Sequence, residues 1–304
     1  MRILVVGAGA TGGYFGARLA QAGRDVTFLV RDGRADTLRR RGLRITGLGQ
    51  DDIIKPSLAT AADPAGPYDL VLFTVKASGV SGALADLGPA AGPETIVVPF
   101  LNGMAHMDAL DAAFGPARVL GGIVRCVTTI TDDGDILQMN PLATLTIGER
   151  KGPPTDRVQH ALETLTVPGY DASATADALA SMWHKWVFIV TAGVVTCLLR
   201  GPVGAIVSVP GGVDFVHQVL AEAEAVSAAA GYPVPDSETK TSLAMFTEAG
   251  STFTSSLYRD VIANLPNEAE HLLGDFRRRA RTLNVSTPLI DLALMQLRVH
   301  ATIN

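Results

Sequence analysis

The chain has 304 residues, 47% hydrophobic and only 18% charged, a balance that excludes disorder or a coiled coil and suits about two globular domains. Lys+Arg number 25 against 30 Asp+Glu, a net charge of −5 that disfavours nucleic acid as a general partner. The two cysteines, Cys126 and Cys197, lie far apart without a CxxC pair, so neither a disulfide framework nor a zinc site is expected, and the thiols suit a reducing compartment.

The opening MRILVVGAGA has too short an apolar run to serve as a signal peptide, and Arg2–Val6 reads as a strand. A helix follows over Gly12–Ala22, stopped by Gly23, and Asp25–Val30 reads as a second strand. Further strands are expected at Asp69–Val75, Thr95–Pro99 and Val119–Ile130, with a later short pair at Ile136–Gln138 and Thr144–Gly148. Such alternation implies a mostly parallel sheet flanked by helices. The stretch Arg150–Thr155 reads as a charged, Pro-rich turn.

From residue 174 the pattern becomes helical throughout. The longest apolar run, Val187–Leu199, is 13 residues broken by Thr191, Gly193 and Thr196, and suits a buried core helix rather than a membrane span. Val213–Ala230 carries Phe215, Val216, Val219, Leu220, Ala223 and Val226 at helical spacing before Gly231 and Pro233. Helices are expected at Lys240–Ile262 and Glu268–Leu283, and a last one from Pro288. The expected architecture is α/β: an N-terminal α/β domain over residues 1–173, followed by an all-helical domain over 174–304. The protein reads as soluble and cytoplasmic, with no membrane partner. Oligomeric state stays open, although helices such as Val213–Ala230 could build a homodimer interface.

Gly7-Ala-Gly9-Ala10-Thr11-Gly12 fits GxGxxG between a predicted strand and a predicted helix. The first glycine permits the tight turn, the second lets backbone approach a pyrophosphate, and the third lets helix and strand pack closely. Helix N-terminal amides, here from Ala10, Thr11 and Gly12, then face the phosphates. An NAD site normally presents Asp or Glu about 20 residues on, but this strand runs into Arg31. Arg24–Arg44 holds seven arginines against three aspartates, a local excess of four positive charges. Guanidinium suits a bidentate phosphate contact, so the cofactor is expected to be NADP(H), with Arg31 on the 2′-phosphate. Arg39, Arg40, Arg41 and Arg44 read as a solvated helix end.

In the helical half, Trp183-His184-Lys185-Trp186 sets a lysine between aromatics, where it either snorkels or faces a site. The six histidines show no metal-ligand spacing, so no metal is expected, and Arg277, Arg278, Arg279 and Arg281 read as a solvated helix face.

At this point the chain resembles the ketopantoate reductase family over nearly its whole length. The residues that carry the resemblance are GAGATGGYFGARLAQAG with Arg31, FTVKA with Lys76, FLNGM with Asn102, WHKW with Lys185, SSLYRD with Ser255, Ser256 and Asp260, NEAEHLLGDFRRRA with Glu268, and STPLIDLAL. The resemblance implies NADPH-dependent reduction of a 2-oxo acid to the 2-hydroxy acid, as in pantothenate biosynthesis. It also implies an N-terminal Rossmann-type dinucleotide-binding domain joined to a helical domain like the C-terminal domain of 6-phosphogluconate dehydrogenase, with substrate in the cleft between the domains. By resemblance Lys185 is the general acid, which suits a reaction that builds negative charge on a carbonyl oxygen and needs a proton. Glu268 is the carboxylate that binds substrate or orients the lysine; locally, Asn267 can cap a helix there, with Glu270 three residues on. Ser256 carries over as a substrate-carboxylate ligand. Asn102 carries over as the residue near the nicotinamide ribose and reacting carbonyl, and Lys76 as a cofactor-edge cation.

The family usually shows asparagines four and eight residues after the lysine, and three before the second serine. Here those positions are Ile189, Gly193 and Phe253. Polar substrate groups facing them would lack partners, at about 1–3 kcal/mol each. The alternatives are therefore a paralogous reductase of a more apolar 2-oxo acid or ketone, a non-catalytic NADP-binding sensor, and an NAD-linked hydroxyacid dehydrogenase, the last disfavoured by Arg31.

Overall fold

A computed structural model describes residues 1–303 and divides into two compact units. The first comprises residues 1–101 and 106–179, the second residues 102–105 and 180–304. The Asn102–Ala105 segment thus groups with the helices that begin some 75 residues later in the chain.

In the first unit, β1 (Arg2–Val6) is apolar and buried from Ile3 to Val6, the continuous run expected of a central parallel strand. It is followed by α1 (Ala10–Gln21), β2 (Asp25–Leu29) and α2 (Asp32–Arg41). Next come β3 (Leu43–Gly47), β4 (Gln50–Ile54), β5 (Ser57–Ala59) and β6 (Leu70–Phe73). The order β5-β2-β1-β6-β7, with β7 at Ile96–Pro99 and α3 (Val80–Leu87) in the last crossover, is parallel throughout. The chain leaves β1 for β2 on one side and later returns to β6 on the other. Such a reversal in strand order marks the carboxyl end of β1 as the place where sheets of this kind bind ligands.

After α4 (Ala105–Phe114), a second sheet runs β10-β9-β3-β4, where β10 is Asp171–Ala174, with β8 (Gly121–Ile130) antiparallel to β9 (Ile136–Gly148). Then α5 (Asp156–Leu165) leads into β10 (Asp171–Ala174). Phe15 on α1 meets Phe100 and Tyr170 edge-on, with ring centroids 5.4 and 4.7 Å apart, and these rings close the core.

The second unit is built on α6 (Ala178–Leu198), followed by α7 (Val203–Val207), α8 (Gly212–Ala229), α9 (Asp236–Phe246), α10 (Ser256–Ile262), α11 (Asp275–Thr282) and α12 (Pro288–Ile303). Helix α6 is long and apolar enough to cross a membrane, but most of it is buried within the protein. Val216, Val219, Leu220, Ala223 and Val226 of α8 are also interior.

Three expectations are corrected. The two short strands at 136–138 and 144–148 are one strand, β9. The helix expected over 240–262 is two, because Gly250 takes φ +72° and the loop's backbone is held elsewhere: Val203 N donates to Phe253 O and Gly204 N to Ser251 O. The helix expected over 268–283 opens into a π-turn at Glu270–Gly274 before α11 begins.

Candidate functional site

At the end of β1, Gly7 turns the chain with φ +98°, and its amide donates to Leu29 O at 2.9 Å. Thr74, just after β6, braces the turn: its hydroxyl lies 2.8 Å from Val6 O and 2.9 Å from Gly7 O. A Cβ on Gly12 would stand 1.9 Å from that hydroxyl and 2.4 Å from Gly7 O, so only glycine permits this approach. A Cβ on Gly9 would meet nothing within 4 Å. Gly9 caps α1 without a side chain, and the first helical bond is Gly13 N to Gly9 O. The Ala10, Thr11 and Gly12 amides precede that bond and stand at the positive end of the helix dipole. Open space beside Gly9 together with these amides fits a dinucleotide pyrophosphate.

Arg34 is a brace that sequence reasoning missed. Its Nη2 donates to Ala8 O at 3.1 Å and its Nη1 to Gly134 O at 3.0 Å. Burial lowers its pKa, opposed by Asp135. Most of the neighbouring arginines are also engaged. Arg24 donates to carbonyls of residues 163, 164 and 166, Arg39 pairs with Asp36, Arg41 with Asp133 and Asp135, and Arg44 with Asp51 and Asp135. The Arg31 carbonyl accepts from the Arg34 and Ala35 amides, but its exposed guanidinium has no hydrogen-bond or ion-pair partner among the described residues. Its Nη2 lies 4.0 Å from where a Cβ on Gly79 would be, over the turn that follows Lys76. Arg31 and the exposed Lys76 thus sit at the ends of β2 and β6, the strands flanking β1.

In the second unit, neighbours on three sides orient Lys185. Trp183 stacks on Tyr232 at 5.9 Å, Trp186 is fully buried edge-on against Phe276 at 4.8 Å, and His184 reaches Pro233 O at 3.1 Å and Glu238 at 3.3 Å. With those faces occupied, Lys185 falls on a half-exposed stripe with Ser181 and Ile189, one helical turn apart. Gly193 does not continue the stripe. It is buried, and a Cβ there would meet Leu257 Cδ2 at 3.3 Å and Leu273 Cδ1 at 3.5 Å. Phe253 is half-buried, its ring 5.9 Å from Phe246 and 6.4 Å from Phe188.

The serine that caps α10 is Ser255, which accepts from Tyr258 N at 3.0 Å and lies 2.8 Å from the Thr196 hydroxyl. Ser256, the next residue, is exposed. Glu268 is half-buried just before the π-turn, and Asn267 accepts from Ala269 N at 3.1 Å. Glu270 does not close a capping box; Arg298 grips it at 2.6 and 2.8 Å. Arginines of α11 pair with acids of the same unit: Arg277 with Asp291 at 2.8 Å, Arg279 with Asp275 at 3.1 Å. Asn102 is half-buried, and its carbonyl accepts from His271 Nε2 at 2.7 Å. Lys185, Ser256, Glu268 and Asn102 therefore all belong to one unit. An open groove of about 680 Å³, lined by Glu270, Asp275, Arg277, Arg278 and Arg298 among others, includes none of those four.

Residues 3–152 match the model of the family described as ketopantoate reductase PanE/ApbA, and residues 177–301 match that of its C-terminal part. The chain is 29% identical to the Bacillus subtilis oxidoreductase YkpB over 99% of each chain. It is 26% identical to a 2-dehydropantoate 2-reductase of Mesorhizobium japonicum, covering 98% of this chain and 97% of the other. The crystal structure of 2-dehydropantoate 2-reductase from Methylococcus capsulatus superposes with a TM-score of 0.86 at 27% identity, covering 100% of this chain and 97% of that one.

Proposed function

Because the chain belongs to the ketopantoate reductase family, we propose that it reduces a 2-oxo acid to the 2-hydroxy acid with a nicotinamide cofactor, and that the cofactor is NADPH. The observation that carries the reading is that Lys185, Asn102, Ser256 and Glu268 all fall in one unit, while the other unit carries a turn whose open Gly9 suits a pyrophosphate. A sensor without turnover has no need of the four.

Gly7, Gly9, Ala10, Thr11 and Gly12 would hold the pyrophosphate, and Arg31 with Lys76 the 2′-phosphate end. The cofactor, when bound, supplies the hydride to the carbonyl carbon. Lys185 Nζ hydrogen-bonds the carbonyl oxygen, stabilises the negative charge that grows there and delivers the proton, then regains one from solvent. The Asn102 amide steadies the same carbonyl, Ser256 binds the substrate carboxylate, and Glu268 orients Lys185 or a substrate hydroxyl.

The Ile189 and Phe253 side chains favour a second, finer reading: the acid carries a more apolar substituent than 2-dehydropantoate does. Gly193, closed over by two leucines, would act here only by offering no amide. A protein of this kind works in the cytoplasm.

The test is NADPH and NADH oxidation over a panel of 2-oxo acids of graded polarity, with Lys185→Ala as control. NADPH-linked turnover that falls by about 10²–10⁴ in the variant supports the reading. No turnover with any acid overturns it in favour of a sensor.

A further inference from the structure

The turn that carries Asn102 is shaped by two rings. Gly103 takes φ +78°, and a Cβ there would lie 3.4 Å from His271 Nε2 and 3.6 Å from Trp186 Nε1, so the turn packs flat on both side chains. His271 Nε2 is 2.7 Å from Asn102 O. A carbonyl oxygen only accepts, so Nε2 carries the hydrogen and the ring's tautomer is set by this bond. Trp186, next to Lys185, donates from Nε1 to Leu272 O at 3.1 Å and thereby holds the residue after His271. The Arg279 guanidinium covers the Trp186 ring at 5.9 Å and is itself tied to Asp275. His271 and Leu272 lie in the π-turn Glu270–Gly274, the kind of local helix widening that recurs at functional sites.

We propose that His271 is a positioning residue of the reduction. By donating to Asn102 O it fixes the Asn102–Gly103 turn and aims the Asn102 amide, while Trp186 locks the same π-turn to the helix that carries Lys185. The proton donor and the amide are thus registered to each other through a contact between residues 169 positions apart in the chain. The inference rests on the reading of Asn102 and Lys185 given above.

His271→Phe keeps a planar ring and removes the donor. His271→Gln keeps an N–H at a reach close to that of Nε2. With the best substrate of the panel, His271→Phe is expected to lower kcat about 10- to 100-fold, the scale of a misaimed group, with NADPH affinity unchanged. The deuterium isotope effect from 4-deuterated NADPH should rise, and His271→Gln should restore most of kcat. Independently of turnover, the Asn102 side-chain NH₂ should give one sharp NMR signal pair in the wild type and in His271→Gln, and doubled or broadened signals in His271→Phe. Wild-type kcat in His271→Phe, equal losses in both variants tracking lost thermal stability, or an unchanged Asn102 signal in His271→Phe each overturns the proposal. If the wild type reduces no 2-oxo acid, the functional reading fails, and the NMR comparison still decides whether His271 aims Asn102.

Discussion

Alanine at Gly12 and alanine at Gly9 should act in opposite ways on the same loop. At Gly12 the added Cβ would stand 1.9 Å from Thr74 Oγ1, 2.8 Å from Thr74 Cβ and 2.4 Å from Gly7 O. Two of the three are not the far end of a flexible side chain, so α1 must shift or Thr74 must give up its bonds to Val6 O and Gly7 O. Overpacking costs about 1–3 kcal/mol, and a lost hydrogen bond about 1 kcal/mol. Gly12→Ala should therefore destabilise the ligand-free protein by about 2–4 kcal/mol, lowering its melting midpoint by roughly 5–15 °C. Adding Thr74→Ala removes the hydroxyl contact but leaves Gly7 O, so rescue should be partial. Gly9 has φ −84° and ψ −166°, which alanine adopts without strain, and its Cβ meets nothing. Gly9→Ala should leave the midpoint unchanged or raise it slightly, while weakening NADPH at least about tenfold by blocking close approach of the pyrophosphate. Melting curves without cofactor and fluorescence titration with NADPH measure the two effects. Equal midpoints for Gly12→Ala and wild type, or unchanged NADPH affinity in Gly9→Ala, would refute the reasoning.

Arg31→Ala should weaken NADPH about 10- to 100-fold and leave NADH nearly unaffected, in line with a lost charge-assisted bond to phosphate; equal losses with both cofactors would remove Arg31 from the 2′-phosphate. Asparagine is expected to be tolerated at half-exposed Ile189 but to cost about 1–3 kcal/mol at Gly193, where Leu257 and Leu273 must yield; urea unfolding of the two variants checks this, and equal midpoints count against it. Burial raises the Cys197 thiol from 9.0 to about 12, so a thiol reagent at pH 8 should label Cys126 quickly and Cys197 only on unfolding. By the same shift, the unfolded chain ionises this thiol first as pH rises, so a stability term present below about pH 9 should be lost towards pH 12, more steeply than in Cys197→Ala.

How much of this was legible before the structure depended on how local each signal is. The Gly7–Gly12 turn was readable because each glycine's role follows from strand, turn and helix within a dozen residues. Arg31 was readable from strand spacing, but the engagement of most of its neighbours was not: Arg24, Arg34, Arg39, Arg41 and Arg44 are taken up by carbonyls and carboxylates, up to 142 residues away for Arg24. Strands β3 to β5 escaped notice because they are short and polar, with QDDII deriving its place from pairing with β3. The α9–α10 break depends on a loop whose carbonyls are taken by α7, a tertiary fact. Helical spacing put Gly193 in line with Lys185 and Ile189, and only the packing of Leu257 and Leu273 removes it. His271 sits in a run that reads as ordinary amphipathic helix, and nothing nearby in sequence announces its bond to Asn102.

Four residues, Asn102–Ala105, belong by packing to the unit whose remaining residues begin at Ala180. The boundary visible along the chain is therefore not the seam along which the protein could be cut and recombined. A helical fragment starting at residue 180 would lack the turn that lies against His271 and Trp186, and would expose both rings. A chimera that takes its helices from one relative and everything before them from another would meet the same mismatch. Exchange of substrate preference between relatives requires two separated stretches to travel together.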